Sequence, residues 1–169
     1  DLRRKMFPTE PARAAVLVPL VERPTGLQVL LTQRASHLKN HPGQISFPGG
    51  RIESADAGPW EAALRERREE VGREPQCVTR AGYLQDHLVI SGFRVTPAVG
   101  FVQPGFNLHL DETEVENVFE VPLEFVLDVR NHLTRDHSIA GHTVITHAIP
   151  YEGRQIWGAT ASMLITFAR

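Results

Sequence analysis

Cysteine is nearly missing from this chain of 169 residues: the one thiol, Cys77, has no partner for an internal disulfide. That agrees with a reducing compartment, although one unpaired thiol does not establish it. A long hydrophobic run is also missing. The longest, Ala14 to Val21, is far short of the roughly 20 apolar residues that span a bilayer. A marked excess of one sign of charge is missing too: 18 Lys and Arg against 20 Asp and Glu leave a formal net charge of -2. Bulk positive charge therefore cannot drive nucleic-acid binding, although a local basic loop could hold a small anion. No repeat, low-complexity tract or linker divides the chain, and no signal peptide is expected, although a chain beginning at Asp1 is open to trimming. One domain over 1–169, in the cytoplasm or an organelle matrix, without membrane or nucleic-acid partners, is the expectation.

What is present is a dense alternation of elements. β-Branched, partly alternating apolar stretches at 14–22, 27–34, 80–85, 94–102 and 142–150 read as strands. Helical patterns cover about 59–71, 122–129 and 159–168, so the class is a mixed α/β or α+β domain. The helix from Pro59 has the fullest signals. Gly58 suits the N-cap, Pro59 the first turn and Glu61 the positive end, and Gly72 follows as a stop. Trp60, Ala63, Leu64 and Val71 form a stripe expected to face the core, and Arg67 falls inside it. A snorkelling Arg67 with its stem on Trp60 or Leu64 would reconcile that position.

Glu66, Glu69 and Glu70 fall within an arc of about 100° on an adjoining face of the same helix. Exposed, such a cluster is an ordinary solvated surface. Converging in a cleft, two carboxylates about 5 Å apart repel by on the order of 3 kcal/mol at an effective dielectric of 20, and a divalent cation would reverse the sign. Oxygen-only ligands favour Mg²⁺ or Mn²⁺. Just upstream, Gly49 and Gly50 follow the apolar "ISF" and would let backbone approach a ligand.

This combination resembles the Nudix hydrolases, whose box reads G, five residues, E, seven residues, R-E-U-x-E-E-x-G-U with U aliphatic. Gly50 stands at the first glycine, Asp56 at the acidic position, and Arg65, Glu66, Glu69, Glu70 and Gly72 match the rest. Eight residues separate Asp56 from Arg65, one more than the general box, and both U positions are arginine, Arg67 and Arg73. "LLTQRASHLKNHPGQISFPGG" (30–50) is similar to the signature of the coenzyme A pyrophosphatase branch, whose box shares the extra residue; Lys39 replaces its second arginine. "EVENVFEVPL" (114–123) and "IWGATASML" (156–164) resemble two further segments of that branch.

The resemblance implies a Nudix α/β/α sandwich with a mixed sheet and the box as loop–helix–loop. It implies metal-dependent hydrolysis of coenzyme A or its acyl derivatives to 3′,5′-ADP and 4′-phosphopantetheine. Glu66, Glu69 and Glu70 would then be the metal ligands, with the Gly50 carbonyl as a backbone ligand. Arg65 would orient Glu69 from four residues away. Arg34 and Lys39 would hold phosphates beside Gly49 and Gly50. For the general base Glu114 is the candidate, with Glu112, Glu116 and Glu120 nearby. Other nucleoside diphosphate derivatives (ADP-ribose, dinucleotides, NADH) or nucleoside triphosphates are the alternative substrates, a non-catalytic nucleotide-binding domain is a third reading, and a homodimer is allowed. His132, His137, His142 and His147 recur at a spacing that suits neither one helix face nor one strand face, so no metal role is expected of them. Trp157 and Phe119 read as core residues rather than ligand stackers.

Overall fold

The computed structural model describes residues 11–37, 43–71, 78–89, 92–103 and 115–169, and of residues 66–71, 115, 116, 137, 139 and 144 the backbone alone. The centre is β1 (Ala12–Arg23), whose unbroken apolar sequence suits a strand covered on both faces. Along one edge β1 pairs in parallel with β7 (Phe93–Val102) from Ala12↔Phe93 to Val21↔Val102. On its other edge it meets β2 (Gly26–Arg34) only near their hairpin, from Leu20↔Val29 to Arg23↔Gly26. Beyond that the two strands part. The gap is filled by β3 (Ile45–Ser46), paired with β2, and β4 (Gly49–Arg51), paired with β1. β5 (Val78–Tyr83) and β6 (His87–Leu88) pair with β7, and β8 (Val115–Pro122) closes the far edge on β2, giving eight strands with parallel and antiparallel neighbours.

Alternation along β1 sends its side chains to two separate cores. Ala15, Leu17 and Val21 join Ala98, Val102 and the buried Ala62 and Ala63 of α1 (Pro59–Val71). Ala14, Val18 and Leu20 point the other way, into a core with Ile149, Ile156 and Leu164. That second layer consists of α2 (Leu123–Leu127), a separate antiparallel sheet of β9 (Leu133–Ile139), β10 (His142–Tyr151) and β11 (Arg154–Trp157), and α3 (Gly158–Ala168). Helix, mixed sheet and a mixed helical layer make the α/β/α sandwich.

All five expected strands form, and β3, β4, β6, β8, β9 and β11 are additional. The helix expected over 122–129 is shorter. It stops at Leu127 because Asp128 is extended, and the Asp128 side chain then accepts the Arg130 N–H (3.0 Å) to open a separate 3₁₀ turn. Trp157 is corrected as well. It is 49% exposed, because the core-facing place at the end of β11 goes to Ile156 and its neighbour must point outward. Phe119 does pack against the second core, with the Arg154 guanidinium 4.2 Å above its ring.

Candidate functional site

The site begins where β4 is laid against β1. Leu17 N donates to Pro48 O (2.8 Å) and Ile52 N to Arg13 O (3.0 Å), so the segment either side of the glycines is fastened to the strand. Gly49 has to be glycine. A Cβ there would strike Ala15 O and would lie 2.5 Å from Val16 Cγ1 and 2.7 Å from Val16 Cα. Gly50 sits opposite Ala15 in the position where antiparallel partners exchange both hydrogen bonds. Its carbonyl therefore already accepts the Ala15 N–H and keeps one lone pair for another partner.

The loop then turns at Glu53–Asp56 and delivers the chain to α1. Asp56 holds this turn and the helix together. Its carboxylate accepts Glu53 N (2.8 Å), Arg65 Nε (3.1 Å) and Arg65 Nη2 (3.1 Å). Arg65 Nη2 also donates to Arg51 O on β4 (3.2 Å), and Arg65 Nη1 lies 3.7 Å from Glu53. The Asp56 side chain is only 7% exposed and that of Arg65 21%. The fork of Arg65, followed by the Glu53 amide, holds the Asp56 carboxyl below the usual carboxylate range. The acidic residue of the motif is thus the clasp of the loop. The sequence reading gave Asp56 a place in the motif but no partner, and Arg65 a role toward Glu69 alone.

α1 starts as expected, with Gly58 O accepting Ala62 N (3.1 Å). The expected stripe does face the core, with Trp60, Ala63 and Leu64 all packed there, and Ala62 widens it on one side. Ala62 and Ala63 are fully buried, whereas Trp60 and Leu64 are half-buried. At about 100° per residue, positions 66, 69 and 70 fall on the stripe that Ala62 and Ala63 start, so the acidic positions continue the sheet-facing side of the helix. The side chains of Glu66, Glu69 and Glu70 lie outside the described residues. So do the side chains of Arg67 and Val71, and Lys39, Gly72, Arg73, Cys77, Glu112 and Glu114 altogether. Glu116 is described in its backbone only.

Arg34 ends β2, its N–H donating to Gln44 O (2.8 Å), at an irregularity in the pairing with β8. Glu120, one of the alternative bases, is held by both arms of Arg23 (3.0 and 2.6 Å). The histidines of the 132–147 series belong to the layer on the opposite face of the sheet from α1. His132 Nε2 donates to Val126 O (2.6 Å), and burial lowers the His147 pKa, followed by the charge of Arg169. Two shallow concavities, one around Phe125 and Arg154 and the other around Leu27 and Leu123, contain none of the candidate residues.

The sequence matches the model of the NUDIX domain over residues 11–140. The chain belongs to the Nudix hydrolases. It is 43% identical over 153 residues to an uncharacterized Nudix hydrolase, NudL, of Enterobacter sp. (strain 638), covering 90% of this chain and 79% of that protein. Among solved structures, this Nudix hydrolase shares its fold with a C. elegans Ap4A hydrolase binary complex (TM-score 0.56, 21% identity, 66% of this chain and 80% of that one). It also resembles the NUDIX domain of Shewanella oneidensis NrtR complexed with ADP ribose (TM-score 0.51, 21% identity, 73% and 79% covered).

Proposed function

We propose that this Nudix hydrolase cleaves the pyrophosphate of coenzyme A or an acyl-coenzyme A, with Glu66, Glu69 and Glu70 holding Mg²⁺ or Mn²⁺. The observation that carries the metal assignment is the continuity of one helical stripe. Ala62 and Ala63 pack on the sheet, and the next positions of that stripe are all acidic. Three carboxylates on a sheet-facing stripe repel one another unless a cation joins them. The Gly50 carbonyl, with its remaining lone pair, fits the same oxygen-only donor set. A divalent cation there supplies charge neutralisation and a more acidic bound water.

The chain's own residues provide the frame. Asp56 fixes Arg65, Arg65 ties α1 to β4 through Arg51 O, and Gly49 lets β4 lie flat on β1. Arg34 and Lys39 are assigned to the phosphates on the strength of the 30–50 segment. Water adds to one phosphorus and the bridging oxygen leaves with the other, giving 3′,5′-ADP and 4′-phosphopantetheine or its acyl form. With Glu120 engaged by Arg23, Glu114 is retained as the proposed base.

The test is a panel of coenzyme A, ADP-ribose, NADH and nucleoside triphosphates, each with Mg²⁺ and with Mn²⁺, with products identified by mass. Release of 3′,5′-ADP from coenzyme A as the preferred reaction is the expected result; preference for another substrate overturns it. Glu69→Gln and Glu70→Gln should each remove most turnover while the thermal midpoint holds. Near-wild-type rates in both would refute the metal assignment.

A further inference from the structure

Arg13 and Arg94 are direct neighbours in the parallel ladder of β1 and β7. Their backbones lie about 4.8 Å apart, and like charges set opposite each other on adjacent strands destabilise a sheet. Among the described residues neither guanidinium has a hydrogen bond or an ion pair, in contrast to Arg23, Arg65 and Arg130. Alternation fixes their face. Arg13 is in step with Ala15 and Leu17, and Arg94 with Ala98 and Val102, all four in the core beneath α1. Both arginines therefore stand on the α1 face, where β1 and β7 begin. They also adjoin the box: the Arg13 carbonyl accepts Ile52 N–H, and Arg51 of β4 lies opposite Ala14.

We propose that Arg13 and Arg94 form a clamp for a phosphomonoester of the substrate, separate from the pyrophosphate that is cleaved. Two guanidinium forks one strand apart, unpaired among the described residues, suit a tetrahedral dianion, which accepts from both at once. Arg13 lies two residues, about 6.6 Å, along β1 from Ala15, the partner of Gly50. That offset suits a neighbouring phosphate rather than the phosphorus held at the glycine. The inference rests on the coenzyme A reading, because coenzyme A carries such a group as its 3′-phosphate, whereas dephospho-coenzyme A and ADP-ribose do not.

The experiment compares kcat/KM for coenzyme A and dephospho-coenzyme A in the wild type, Arg13→Gln, Arg94→Gln, the double glutamine variant and the double lysine variant. The wild type should prefer coenzyme A. The double glutamine variant should lose that preference by about tenfold to a hundredfold, mainly through KM, as charge-assisted hydrogen bonds disappear. The double lysine variant should retain part of it. A preference that survives in the double glutamine variant, with both substrates falling equally or neither falling, overturns the clamp. If coenzyme A is not turned over at all, the substrate reading fails, and calorimetry with 3′,5′-ADP against 5′-AMP tests the clamp alone. Tighter binding of 3′,5′-ADP that is lost in the double glutamine variant supports it, and equal binding of the two nucleotides overturns it.

Discussion

Replacing Asp56 by Ala should loosen the box without touching an assigned metal ligand. The carboxylate accepts three hydrogen bonds, two from the fork of Arg65 and one from the Glu53 amide. Hydrogen bonds to charged groups are each worth about 1.5–3 kcal/mol, and orphaning one partner of a buried pair costs about 3–5 kcal/mol. Arg65 is 21% exposed and can regain water, which reduces the loss. We expect about 2–3 kcal/mol, seen as a fall of very roughly 4–12 °C in Tm for a chain of this size. The pH dependence provides the sharper test. The folded Asp56 pKa is depressed below its unfolded value, so its contribution is complete above about pH 4–5. It is then lost as pH falls through the folded pKa. The stability gap between wild type and Asp56→Ala, taken from urea titrations at pH 7, 5 and 3.5, should be constant between the first two and narrower at the third. A gap below about 0.5 kcal/mol at pH 7, or one that widens toward low pH, would refute this account of the clasp.

Two other substitutions test the frame around it. Gly49→Ala puts a Cβ against Ala15 O and Val16, both held in a strand that cannot retreat, so about 1–3 kcal/mol of stability should be lost together with most activity; a variant with the wild-type urea midpoint would show that β4 is not pinned there. Ala140 adopts φ 52 in the β9–β10 turn, a region that costs a non-glycine residue about 1–2 kcal/mol. Ala140→Gly should therefore raise the melting temperature by a few degrees while kcat/KM is unchanged, and a lower melting temperature would count against strain at that turn.

Much of this arrangement was legible because it is local. The strands at 14–22, 27–34 and 94–102 announce themselves through β-branched residues, and the start of α1 through Gly58, Pro59 and Glu61. The short strands were less legible. β3 and β4 have two and three residues and exist only because β1 and β2 part and leave edges to be filled. β8 resembles a family segment, and its alternation, with Phe119 and Val121 inward, marks it as a strand as well. The residue type of Trp157 suggests burial, but strand alternation with the buried Ile156 turns it outward.

The face of α1 shows why the site itself was harder to read than the fold. By size, Trp60, Leu64 and Val71 outweigh Ala62, so a hydrophobicity criterion draws the stripe through the large residues. Packing keeps Trp60 and Leu64 on the core and adds Ala62 to it. A helix lies close to a sheet over its smallest side chains, and Ala62 and Ala63 are the fully buried pair while the ring of Trp60 fits over Gly100, whose added Cβ would lie 3.0 Å from Trp60 Cη2. With Ala62 included, the sheet-facing arc of the helix widens toward positions 66, 69 and 70. Were Ala62 outside that arc, the same three positions would read as a routine solvated surface. Two alanines and a glycine, none of them chemically functional, therefore set how closely that side of α1 lies on the sheet.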